Sequence, residues 1–151
     1  MARVRAPAHV LLAAAALATG CQGARPTLTV ERAYGYATPA SEEVAVYFVI
    51  RNPAAVPDTL VHVNTAEAAG VMFHRNVTDG GIVRMEHLET PVVPARDSLV
   101  LAPGGIHLML TSVRPRSPGD SLQLSLNFSS AGVRVVPVPL LAPGDLPPGE
   151  R

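Results

Sequence analysis

The chain is a succession of short apolar runs, most of them alternating with polar residues at every second position. That period belongs to β-strands half buried in a sheet. The clearest is "SLQLSLNF" (Ser121 to Phe128), with Leu122, Leu124, Leu126 and Phe128 in one row and Gln123, Ser125 and Asn127 in the other. "TLTVERAYG" (Thr27 to Gly35) reads as a first strand. "VAVYFVIRN" (Val44 to Asn52), apolar on both faces, reads as a central strand ended by Pro53. "DTLVHVNT" alternates, with Leu60 and His62 on one face and Val61 and Val63 offset from them. "GVMFHRNV" (Gly70 to Val77) and "IVRMEHLE" (Ile82 to Glu89) flank the turn "TDGG". "SLVLAPGGIHLMLTS" divides into two strands around Pro-Gly-Gly, and "GVRVVPVPL" closes the series, its prolines favouring an edge position. About eight or nine short strands, with no amphipathic helix between them, predict an all-β domain over 27–140, either a β-sandwich or a Greek-key barrel. The tail over 141–151 is expected to be disordered.

One strand departs from the ordinary pattern. In "GGIHLMLTS", Ile106, Leu108 and Leu110 make a core row, while His107, Met109 and Thr111 face the other way. A thioether thus stands where polar residues usually stand. After residue 21 the chain has Met72, Met85 and Met109 and four histidines, and three of those histidines pair with the methionines at i, i+2: Met72 with His74, Met85 with His87, His107 with Met109. Residues i and i+2 of a strand share a face. If Asp79-Gly80 is a two-residue turn, opposed residue numbers sum to 159, which sets His74 across from Met85 and Met72 across from His87. A Gly80-Gly81 turn shifts the register by two and leaves the same residues as diagonal neighbours. A single methionine or histidine on a strand is ordinarily packing or surface, and His62, unpaired, reads as a surface residue; three pairs together read as a metal site.

Composition narrows the partners. Basic and acidic residues balance at 12 each, every basic residue is Arg, and no basic stripe alternates with aromatics, so nucleic acid is not an expected partner. The 15 Pro and 12 Gly are spread as punctuation between apolar runs, as a turn-rich β domain requires. The first 20 residues read as a signal peptide: Arg3 and Arg5, then "HVLLAAAALA", too short to span a bilayer. "LATGC" ends at Cys21, the sole cysteine, and resembles a bacterial lipobox with Ala18 in place of the usual Leu. The expectation is an exported protein, periplasmic or on the cell surface, anchored to the membrane by lipid at Cys21 and joined to its domain by a short linker over 21–26. Beyond Cys21 there is no thiol for a disulfide, a thiolate ligand or a nucleophile.

Thioether sulfur is soft and imidazole intermediate; without carboxylates or thiolates the set favours Cu(I) over Mg, Ca or Mn. Zinc takes Cys, His or carboxylate rather than thioether. The spacing from His74 through Met85 and His107 to Met109 reads H-X10-M-X21-H-X-M, and it resembles the signature of the PCuAC-like periplasmic copper chaperones. "VYFVIRNPAAVPDTLV", "GGIVRME", "LAPGGIHLMLTSVRP" and "PGDSLQLSLNF" resemble the family's other segments, so the resemblance covers Thr27 to Pro139. It implies a cupredoxin-like β-barrel and a surface site holding one Cu(I), with His74, Met85, His107 and Met109 as ligands. It also implies delivery to an acceptor protein, the dinuclear copper centre of cytochrome c oxidase or its assembly factor. Met72 and His87 then stand next to the ligands, as packing and hydrogen-bonding residues or as alternative ligands. The chain departs from the family in having Tyr34 or Tyr36 where many members have Trp, and in a tail without His or Met. A copper buffer without a dedicated acceptor is the competing reading. A copper redox enzyme is disfavoured because cupredoxin electron carriers use a Cys thiolate, and no catalytic constellation stands elsewhere in the sequence.

Overall fold

The computed structural model describes residues 27–38, 41–114 and 116–150; the expected signal peptide, linker and Cys21 lie outside them. Ten strands form: β1 (Thr29–Tyr36), β2 (Val44–Asn52), β3 (Asp58–Asn64), β4 (Gly70–Asp79), β5 (Ile82–Leu88), β6 (Val92–Val93), β7 (Asp97–Leu101), β8 (Ile106–Thr111), β9 (Ser121–Phe128) and β10 (Gly132–Leu141). There is no helix among the described residues. The strands hydrogen-bond in the order β5-β4-β8-β7-β2-β1-β10-β9-β3-β6, and β8 also pairs with β2. The sheet curls into a half-barrel, so inward rows from both of its halves meet in one core. Leu122, Leu124, Leu126 and Phe128 of β9 are buried there with Val46, Phe48 and Ile50 of β2 and Leu108 and Leu110 of β8.

β2 is central, as its two apolar faces predict, with β1 on one side and β7 and β8 on the other. β7 and β8 do not fold back on each other at Pro-Gly-Gly. Both run antiparallel to β2 along the same edge, and the turn over Ala102–Gly105 steps the chain sideways between them. That step brings β8 within pairing reach of β4, which is what places His107 and Met109 beside the β4–β5 hairpin.

Several local expectations are corrected. The hairpin turn is Gly80-Gly81, with Asp79 opposite Ile82, so opposed numbers sum to 161 rather than 159. Both glycines have positive φ, +56° and +83°, as a two-residue type I′ turn demands; Asp79 stays in the ladder because the second central position also needs a left-handed residue. β3 carries a bulge between Leu60 and His62, which brings Leu60 and Val63 to the same buried face and leaves Val61 and His62 exposed. β10 is not a terminal strand of the sheet, yet over Gly132–Pro139 it pairs only with β9; only Gly35 and Tyr36 of β1 join it, at Leu140 and Leu141. Its prolines therefore lie where one side of the strand carries no ladder. After β10 the chain makes two turns, and the Tyr36 hydroxyl donates to the Asp145 carbonyl at 3.2 Å.

Candidate metal centre

Three strands present the imidazoles and thioethers. Met72 and His74 of β4, Met85 and His87 of β5, and His107 and Met109 of β8 all leave the sheet on the face opposite the core row that includes Phe73, Leu108 and Leu110. Register fixes their order. His74 is opposite His87 on one side and His107 on the other. Its ring centroid lies 6.2 Å from that of His87 and 5.7 Å from that of His107. Met109 is opposite Met72, and Met85 is opposite Asn76. Viewed along the strands, Met85 stands on the hairpin-tip side of a row of three imidazoles, and Met72 and Met109 stand together on the other side.

Both residues of the first expected cross-strand pair, His74 and Met85, share a face, but as diagonal neighbours, because the turn is one residue later than Asp-Gly. The four residues of the expected motif therefore lie along a diagonal over β5, β4 and β8. Burial increases across the same strands: Met85 is 55% exposed at the sheet edge, His74 is partly buried, and His107 is only 5% exposed. Met72 and His87 line an open groove that continues to His62 and Asn64 of β3. His62 is exposed, its Nε2 2.9 Å from Asn64 Oδ1, and stands apart from the row.

The electrostatics keep His74 ready to donate a lone pair. Burial pushes its imidazole below the ordinary value, and the neighbouring His107 and His87 push it the same way; Glu43 opposes them. A neutral ring has a free nitrogen where an imidazolium has none. Nδ1 of His74 is buried and has no hydrogen-bond partner, an arrangement that buried polar atoms avoid unless something else engages them. His107 Nδ1 makes one long contact, 3.4 Å, with the Gly105 carbonyl. Among the described residues no three His, Cys, Asp or Glu side chains stand close enough to hold a metal ion. The other potential metal donors on this face are the thioethers of Met72, Met85 and Met109.

Two neighbours escaped the sequence reading. The Tyr47 ring, on the outward row of β2, has its centroid 6.4 Å from that of His107 and stacks in turn with Tyr34 and Tyr36. Glu43 supplies the one acidic influence on His74. The outward alternation Ala45, Tyr47 in "VAVYFV" carried a signal for the first; nothing in the sequence placed β2 beside β8.

With this geometry in view, comparison with known proteins is informative. Residues 28–140 match the family described as "Putative lipoprotein LpqE-like". A curated relative, "Putative lipoprotein Lxx21020" of Leifsonia xyli subsp. xyli, is 29% identical over 98 residues, which is 64% of this chain and 59% of that protein. The match thus spans less than two thirds of the relative's length. Among solved structures, the chain is similar to the copper-bound PCuAC domain from PmoF2, with a TM-score of 0.66 and 22% identity over 78% of this chain and 95% of that one. It is also similar to CuI-DR1885 from Deinococcus radiodurans, with a TM-score of 0.63 and 26% identity over 84% of this chain and 85% of that one. The fold is the all-β, cupredoxin-like one that the strand pattern and the resemblance led us to expect.

Proposed function

The chain belongs to the LpqE-like family, and from that premise we propose that it is an exported copper chaperone. It takes up one Cu(I) on the outward face of β4, β5 and β8 through His74, Met85, His107 and Met109, and passes the ion to an acceptor protein, the dinuclear copper centre of cytochrome c oxidase being the acceptor of choice. The observation that carries this reading is the buried, unpartnered Nδ1 of His74, set among imidazoles and thioethers with no thiolate among the described residues. The donor set fits the ion: soft sulfur and borderline nitrogen suit Cu(I). The likeness to CuI-DR1885 supports the same ion.

The chain's own residues explain why such a site would release as well as hold. His107 anchors the site from the buried side, while Met85, on the edge strand, is open to a docking partner. Thioethers are neutral ligands that carry no proton, so exchange of one for a partner's donor leaves no charge behind. The test is a Cu(I) competition titration on the wild type and the Met85→Leu, Met109→Leu double variant. Both changes nearly conserve volume, so the fold survives them. The expected result is one Cu(I) per wild-type chain and a loss of affinity of about tenfold or more in the variant. Equal Cu(I) affinity in the two proteins would place the site elsewhere. Mixing the Cu(I) protein with an apo oxidase copper domain then separates a chaperone, which loads the domain, from a buffer, which does not.

A further inference from the structure

Register assigns a neighbour that spacing along the chain does not. Met72 lies directly across from Met109, and His74 directly across from His107. Directly opposed side chains of an antiparallel pair have Cβ atoms about 5 Å apart, and i, i+2 neighbours on one strand stand about 6.5–7 Å apart. Met72, His74, His107 and Met109 thus occupy the corners of a small rectangle, thioethers on one short side and imidazoles on the other. An ion above its centre is within reach of all four side chains. Met85 approaches the same imidazoles from the third strand, at the level of Asn76.

Met72 is not part of the core. Its side chain leaves the face away from the core and is 38% exposed, while its neighbour Phe73 fills the core. No three His, Cys, Asp or Glu side chains converge among the described residues, and soft thioether sulfur suits Cu(I). We infer that Met72 is itself a Cu(I) ligand, opposite Met109, so that three thioethers surround the His74–His107 pair where two suffice. The extra thioether gives the ion a place to move toward the sheet edge, Met72 giving way to Met85, without leaving the imidazoles. This inference rests on the reading that the face binds Cu(I).

The experiment uses the full chain labelled with [ε-13C]methionine, together with its Met72→Leu, Met85→Leu and Met109→Leu variants, which also assign the methyl signals. Addition of one equivalent of Cu(I) is expected to shift the Met72 methyl along with that of Met109. In a competition titration, Met72→Leu is expected to weaken Cu(I) binding by about tenfold or more, as loss of a ligand does. A Met72 methyl that stays in place, or a Met72→Leu protein that binds Cu(I) like the wild type while Met109→Leu does not, overturns the inference and leaves the copper reading intact. A wild type that binds no Cu(I) and whose methyl signals are all unmoved overturns both.

Discussion

At the scale of single residues, buried polar groups fall into those that are satisfied and, among the described residues, two that are not, Nδ1 of His74 and Nε of Arg116. Asp58, 5% exposed, is fully engaged: its carboxylate accepts from the Ser129 hydroxyl at 2.6 Å and from the N–H groups of Thr59 (2.8 Å), Ser130 (2.9 Å) and Ala131 (2.8 Å). It ties the start of β3 to the β9–β10 turn. Burial alone would raise its pKa, but the Ser129 hydroxyl and the three N–H groups together outweigh burial and hold it below the ordinary carboxylate value. A carboxylate depressed in the folded state contributes stability that is complete above the unfolded pKa, about 4. That contribution fades as pH falls toward the folded pKa and is gone below it. Asp58→Asn leaves at least one of those N–H groups facing an amide N–H and should cost about 2 kcal/mol at neutral pH. Urea unfolding at pH 7 and again near pH 3 checks both parts: the gap between wild type and variant should narrow in acid, and a gap that is constant with pH would show that the carboxylate's charge is not what the loop requires. His74 is the contrast. Its Nδ1 is buried without a partner, a position that a water or an ion can fill.

At the scale of elements, the β4–β5 hairpin decides which side chains meet, and its turn decides the hairpin. Gly80 and Gly81 both hold left-handed backbone. Asn tolerates that conformation, whereas a β-branched residue pays about 1–2 kcal/mol for it. Gly80→Asn should therefore leave stability unchanged, and Gly81→Val should loosen β5, the edge strand, without disturbing β2 and β8. Amide hydrogen exchange reads this directly: faster exchange across Ile82–Leu88 alone is expected in the Gly81→Val protein, and unchanged protection there would mean that side-chain pairing, not the turn, sets the register. The same element shows what a sequence can and cannot reveal. Apolar runs and alternation exposed every strand of ordinary length, and the i, i+2 pairs showed that imidazoles and thioethers share a face, because period 2 is a local property. The turn was ambiguous because Asp-Gly and Gly-Gly are both good type I′ pairs, and only the partner strand distinguishes them. The bulge in β3, the bulge in β1 where Arg32 takes φ 52°, and the two-residue β6 were not legible. A bulge changes phase only relative to a neighbour that the sequence does not identify. The His87–His74–His107 row was hidden for the same reason: it depends on β8 stepping across from β7 to β4.

At the scale of the whole molecule, the question is what position the proposed copper chaperone should hold. The sequence has a lipobox-like "LATGC" ending at Cys21, and the first strand of the structure begins at Thr29. Seven residues, 22–28, separate them, and at about 3.5 Å per residue they reach at most about 25 Å. A lipid on Cys21 would thus hold the domain close to the bilayer, within reach of an acceptor held in the same membrane. Tethering turns an encounter in bulk into one at a raised effective concentration, without any new contact between the partners. Anchoring should therefore alter transfer to a membrane-held acceptor and leave intrinsic Cu(I) affinity alone. The comparison is between the native protein and a Cys21→Ser form exported without lipid, each loaded with Cu(I). Mass spectrometry of the native protein should find a diacylglyceryl-modified Cys21 as the first residue. Both forms should load a soluble apo acceptor at the same rate, because the β4–β5–β8 face is the same in each. The lipidated form should load an acceptor in the same vesicles faster, and the advantage should vanish when donor and acceptor occupy separate vesicles. An unmodified Cys21 would remove the anchor from the mechanism, and equal rates in shared vesicles would show that release of the ion, rather than encounter, limits delivery.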